Sequence, residues 1–167
     1  MSNNQRVQSL VQEINRYGWV LRPRGIGIHC QKLFEDVYRV DYYIGNRSVS
    51  YLNYRPMGLV IEISLLSTPL KNNRRKSYSK NLLAIVLKSA ERLGYRSAIA
   101  TSTIMNNKNK ENYNTEKHGP LRPLSAPLFN NFRFGVTNKN EEEKTEIRRL
   151  NMTRNMAGVN SVIRTLS

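Results

Sequence analysis

The segment Gly58–Leu66, GLVIEISLL, is almost continuously apolar and rich in β-branched side chains. A strand with one wet face alternates polar and apolar residues, so a run of this kind predicts a strand buried on both faces. Pro69 closes it. Past a basic loop, Leu82, Leu83, Val86, Leu87, Ala90 and Leu93 recur at helical spacing, giving a helix over Asn81–Leu93, and Gly94 stands where a left-handed residue would end it. Ser97–Ile104 then reads as a further strand. A strand, loop, helix and strand in that order are enough chain for a right-handed crossover between parallel neighbours.

Upstream the pattern changes. In Val37–Ile44, Tyr38, Val40, Tyr42 and Ile44 fall on one face, with Arg39 and Asp41 on the other. Gly45-Asn46 supplies a tight turn and Ser48–Tyr54 alternates again, so a hairpin is expected. Before it, Val7, Leu10, Val11 and Ile14 form a narrow apolar stripe, expected to dock a helix on a sheet. Asn3 or Asn4 is the expected cap of that helix and Gly18 its stop. Trp19–Ile28 reads as extended, with Pro23 arguing against a central strand.

Downstream, Asn106–Asn131 is rich in Asn and Lys and carries Pro120, Pro123 and Pro127; so long a loop is expected to be functional or mobile. Arg133–Thr137 reads as a short strand, Glu141–Lys144 as a solvated charge cluster, and Ile147–Met152 and Val159–Leu166 as strands or a strand and a helical tail. No internal repeat breaks the chain. The expectation is one mixed α/β domain over residues 1–167: an antiparallel N-terminal meander joined to a strand-loop-helix-strand crossover.

Composition narrows the chemistry. Among 167 residues there are 27 Lys+Arg against 12 Asp+Glu, a net charge of +15, which favours polyanionic partners or phosphate-bearing ligands. Cys30 is the single cysteine, so neither an internal disulfide nor a cysteine-built zinc site is expected. His29 and His118 belong to no ligand-spaced motif, so no metal is assigned. No apolar run approaches the length of a membrane span, and no secretory segment is expected from the N-terminal residues, which hold no continuous apolar stretch. A reducing, cytoplasmic setting is expected, although the acid-poor amphipathic N-terminus also suits a mitochondrial presequence.

The most informative stretch is Lys71–Lys80, KNNRRKSYSK, directly before the Asn81–Leu93 helix. A helix start carries unpartnered N–H groups and a partial positive charge, so Lys and Arg are the wrong charge there. Arg74, Arg75, Lys76 and Lys80 cluster there nonetheless, with Ser77 and Ser79 as available caps. An anion held by the backbone amides would remove the conflict; a solvated basic loop is the alternative.

From Tyr38 to Met105 the chain resembles the GNAT-type N-acetyltransferases, whose phosphate-binding loop has the form R/Q-x-x-G-x-G/A and leads into a helix that often opens on Leu-Leu. Arg74-Arg75-Lys76-Ser77-Tyr78-Ser79-Lys80-Asn81-Leu82-Leu83 occupies the equivalent place, with Ser77 and Ser79 where the family has glycine. Ser125–Gly135, SAPLFNNFRFG, is loosely similar to the family's late helix-to-strand region, with Phe129 where a tyrosine often serves as general acid. The resemblance implies transfer of an acetyl group from acetyl-CoA to an amine on a macromolecular substrate. It implies that main-chain groups of Leu66, Ser67 and Thr68 pair with the pantetheine arm, and that Arg74, Arg75, Lys76, Ser77, Tyr78, Ser79 and Lys80 hold the pyrophosphate. Glu62, on the apolar strand, is the expected catalytic carboxylate: burial would raise its pKa and let it take a proton. Alternatively it pairs with a neighbouring arginine.

A second reading is a non-catalytic basic scaffold that binds nucleic acid or a protein. Arg22, Arg24, Arg39, Arg47 and Arg55 are interleaved with Trp19, Tyr38, Tyr42, Tyr43, Tyr51 and Tyr54, a pattern that suits base stacking as well as ordinary cross-strand packing. His29 beside Cys30 reads as packing, not as a catalytic pair.

Overall fold

Helix α1 spans Asn3–Leu21 in the computed structural model, which describes residues 1–68, 77–103, 132, 134–143 and 146–155. Its cap is Ser2 rather than Asn3 or Asn4. The Ser2 hydroxyl accepts from the Gln5 amide at 3.2 Å, while the Gln5 side chain accepts from the Ser2 amide at 2.9 Å, a reciprocal capping box. Nor does Gly18 stop the helix. It lies inside α1, where a Cβ would meet the Ile28 carbonyl oxygen at 2.8 Å, so this glycine lets the helix approach the sheet. Trp19–Leu21, expected to be extended, is therefore helical, and Arg22–Arg24 form a 3-10 turn.

Four antiparallel strands follow: β1 (Ile26–Phe34), β2 (Val37–Ile44), β3 (Arg47–Met57) and β4 (Val60–Ser67). The expected hairpin joins β2 to β3 with Ile44 opposite Arg47 and Gly45 at φ 59°. Cys30, Val40, Leu52 and Leu66 form one row across the meander, and His29, Asp41, Tyr51 and Ser67 the next. Because side chains alternate between faces along a strand, the two rows lie on opposite faces. Helix α1 packs on β1, and helix α2 (Tyr78–Arg92) packs across β2, β3 and β4.

The core lies between helices and sheet, with Leu10, Ile14, Val40, Tyr42, Leu52, Tyr54, Ile61, Ile63 and Leu83 buried. Asn81 to Leu87 are buried without a break, so α2 is an interior helix and not the one-faced helix its leucines suggest. Strand β4 departs from expectation in the other direction. Ile61 and Ile63 are buried, but Glu62 is half-buried and Ser64 exposed. A bulge sets Ile63 and Leu65 against the neighbours Tyr54 and Asn53, leaving Ser64 as the extra residue.

Helix α2 ends at Gly94, φ 83°, with Tyr95 N–H donating to Ala90 O at 3.1 Å and Gly94 N–H to Glu91 O at 3.0 Å. This is the Schellman arrangement expected of that glycine. The Arg96 amide then donates to Leu59 O at 2.8 Å. Strand β5 (Ser97–Thr103) thus starts beside the start of β4, as a parallel neighbour reached through α2.

Contacts divide the chain into two compact units, one holding Met1–Ala98 and the other Ile99–Arg154. In the second, β6 (Gly135–Glu143) and β7 (Glu146–Asn155) form an antiparallel hairpin, from Gly135 opposite Thr153 to Glu143 opposite Glu146. Glu141–Glu143, read from sequence as a charge cluster, belong to β6. The architecture is mixed α/β, an antiparallel meander with a parallel crossover, as the sequence predicts. Among the described residues no helix is long and apolar enough to cross a membrane.

Candidate functional site

The start of α2 lies behind the end of β4. Ser77 occupies the cap position at φ 64°, ψ 16°, a left-handed conformation, and makes no side-chain capping bond. Only one other non-glycine among the described residues, Glu35, has positive φ. For an L-residue this conformation costs about 1–2 kcal/mol, which glycine would avoid. No acid lies in the first turn of α2 and Ser77 makes no side-chain cap, so the helix itself does nothing to offset the partial positive charge of its opening amides.

Ser79, the other expected cap, is turned elsewhere. Its hydroxyl lies 2.6 Å from Thr68 Oγ1 and 3.1 Å from Ser50 Oγ. Ser50 is fully buried on β3; it donates to the Ser67 carbonyl at 2.8 Å and lies 3.1 Å from Thr68 Oγ1. Three hydroxyls thereby tie β3, the end of β4 and the first turn of α2 together. One residue further on, Asn81 Nδ2 donates to the Tyr42 hydroxyl at 3.2 Å, and the Tyr42 ring stacks on Tyr78 at 5.3 Å. Burial is the main cause raising the Tyr42 pKa, so the phenol stays neutral and able to accept.

This geometry bears on the substitution of serine for glycine. Ser79 sends its side chain into the protein, towards Thr68, instead of into the mouth formed by the amides. Ser77 takes the backbone conformation that glycine would take, at a cost in strain. Donors at the start of α2, Lys80 in its first turn and the main chain of Leu66–Thr68 thus share one end of the crossover. Arg74, Arg75 and Lys76 lie outside the described residues, as do His118 and Phe129.

Glu62 differs from its expected setting. It faces away from Ile61 and Ile63, is half-buried, and pairs with Arg55 Nη2 at 3.3 Å directly across β3. The arginine partner that the sequence also allows is present. The interleaved arginines are also largely engaged. Arg39 pairs with the buried Asp41 at 3.0 Å and lies 4.0 Å from the Tyr51 ring centroid, while Tyr42 and Tyr54 are core residues. Those two tyrosines are unavailable for stacking on bases. Cys30 is buried with its thiol 3.4 Å from the Tyr54 hydroxyl. Burial pushes its pKa up to about 11, against a smaller lowering by Tyr54, so it remains an unreactive thiol at neutral pH.

Sequence reasoning missed Ser50, Tyr42 and Asn81 as supports of the α2 start. The available signal was positional: Ser50 is polar at an inward place in an alternating strand, and Asn81 directly precedes the buried Leu82. Polar groups at core positions need partners.

No family model matches the chain, and no curated protein matches it. Solved structures do. A GNAT family acetyltransferase from Elizabethkingia anophelis with acetyl-CoA bound is similar at a TM-score of 0.55 and 10% identity, over 78% of this chain and 98% of that one. The ribosomal-protein-S18-alanine N-acetyltransferase from Escherichia coli gives 0.54 and 7%, over 93% and 90%. The aminoglycoside 6'-N-acetyltransferase from Enterococcus faecium gives 0.54 and 10%, over 93% and 94%. At these identities the likeness establishes the fold: the chain is built on the GNAT-type acetyltransferase scaffold.

Proposed function

We propose that this chain is an acetyl-CoA-dependent N-acetyltransferase acting on an amine of a macromolecular substrate. The observation that carries the reading is the uncapped, acid-free start of α2 beside the end of β4, on a scaffold shared with acetyltransferases. The residues present suit the coenzyme. Ser77 takes a left-handed backbone conformation, and the Ser79 hydroxyl is turned towards Thr68.

Amides of Ser77–Lys80, with the Lys80 ammonium and the side chains of Arg74, Arg75 and Lys76, would hold the pyrophosphate. Main-chain groups of Leu66, Ser67 and Thr68 would align the pantetheine arm, the Ser67 carbonyl already being oriented by Ser50. Bound acetyl-CoA would supply an activated acyl group. Glu62, held in place by Arg55, is the carboxylate assigned to take the proton that the acceptor amine must lose, directly or through water. A macromolecular acceptor is supported by the net charge of +15 and by one structural neighbour being named for a ribosomal-protein alanine.

Calorimetric titration tests the reading. Coenzyme A and acetyl-CoA should bind in the micromolar range or tighter, and binding should collapse in the Arg75→Glu/Lys80→Glu double variant. No heat with either ligand, from protein shown to be folded, would leave the non-catalytic scaffold as the function.

A further inference from the structure

At the C-terminal end of α1 a groove of about 430 Å³ opens against the start of β1, lined by residues that include Asn15, Trp19, Arg22, Ile26, Gly27 and His29. No residue of the α2 start contributes to it. Trp19 is 73% exposed, and the Arg22 guanidinium stands 5.8 Å from its ring centroid. The neighbouring Val20 is also exposed. A scattered exposed aromatic needs no explanation, but an open indole beside a groove, paired with a cation, is a different case.

The chemistry of the lining selects the occupant. Among the described residues its lining contains no acid, and the side chains of Arg22 and His29 border it. With a chain charge of +15, polyanions are concentrated at such a surface and acidic counterparts are not repelled. The volume lies in the range of small-ligand sites, enough for one base and its sugar. An indole face offers stacking to any base, and a guanidinium beside it still presents in-plane donors to phosphate. A duplex hides its base faces in its own stack, whereas a single strand can insert one. We propose that this groove takes an unpaired nucleobase of a single-stranded nucleic acid, Trp19 stacking on the base and Arg22 contacting the adjoining phosphate. The groove shares no described lining residue with the α2 start.

Trp19 is the sole tryptophan, so its emission reports on this groove alone. The full-length protein is titrated with a single-stranded oligoribonucleotide of about ten nucleotides, within the site sizes of single-strand binders. Saturable quenching is expected, with affinity falling as salt rises. Trp19→Ala should weaken binding of the labelled strand by roughly fivefold or more, the loss of one stacked base, while Trp19→Phe keeps most of it. Arg22→Gln should lower the slope of log affinity against log salt by about one. Coenzyme A titration of Trp19→Ala provides the control that the α2 site is intact. The proposal is overturned if the strand does not bind, or binds without quenching and equally well to Trp19→Ala, which would place its contacts elsewhere. Equal quenching by polyglutamate would also overturn it, making an acidic protein segment the occupant.

Discussion

Gly18 can carry nothing larger than hydrogen, since a Cβ at that position would lie 2.8 Å from the backbone carbonyl oxygen of Ile28. Two effects compete in Gly18→Ala. Alanine gains about 1 kcal/mol of helix propensity over glycine. Against this, forcing a methyl into a closed contact costs about 1–3 kcal/mol, and the obstacle is backbone that cannot swing aside. Asn15 increases the penalty, because it fixes the same strand: its amide donates to Cys30 O at 3.1 Å and its carbonyl accepts from Cys30 N at 2.7 Å. Chemical denaturation should therefore find Gly18→Ala less stable by about 1–2 kcal/mol; a stabilised variant would mean that the helix lifts freely from β1. From sequence this glycine looked like a helix stop. Propensity describes the local chain, and the contact that decides the matter is with a residue on another element.

The α2 start shows how an element can be set by groups outside it. Leu82, Leu83, Val86 and Leu87 declared the helix, yet its first turn is placed by Ser50 on β3, Thr68 after β4 and Tyr42 on β2. If Ser50 acts by keeping the Ser79 side chain turned inward, Ser50→Ala should weaken coenzyme A binding by about 1 kcal/mol, one ordinary hydrogen bond's worth. Ser79→Gly in the same background should then restore it, because no side chain remains to enter the amide mouth. Additive losses in that double-mutant cycle would instead assign Ser50 to packing between β3 and β4. Calorimetry on the four proteins separates the outcomes. Neither the hydroxyl cluster nor the strained Ser77 was legible beforehand. Serine is compatible with loop, cap and strand alike, and its role is fixed only by which hydroxyl lies within bonding distance.

Over the whole chain, 12 acids face 27 bases, so each carboxylate carries more than its share of charge compensation. Glu13 is placed to do so between helices, accepting from Arg16 and from Arg92 of α2, each at 2.8 Å. The hydrogen bond to Arg16 leads the causes that lower its pKa from the ordinary 4.5, against opposition from burial. A depressed carboxylate contributes stability that is present above its unfolded pKa and lost as pH falls through the folded one. Glu13→Gln should accordingly cost about 0.5–1 kcal/mol at neutral pH, the range of a partly exposed pair. Unfolding curves of variant and parent should converge in acid below the ordinary value of 4.5. A gap that persisted there would point to lost packing and not lost charge.

Hydrophobic spacing alone defined the hairpin of β2 and β3, the β4–α2–β5 succession and the Gly94 stop, because each depends on residues close together in the chain. The wrong-signed charge before α2 likewise marked the candidate site without any coordinates. Tertiary structure decided what local pattern leaves open: that Glu62 meets Arg55, that Asn81–Leu87 of α2 are buried on every side, that Tyr42 and Tyr54 belong to the core, and that Trp19 stays open beside a groove. Burial and partnership are properties of whichever distant groups arrive alongside a residue, and the pairing of strands and docking of helices bring them there.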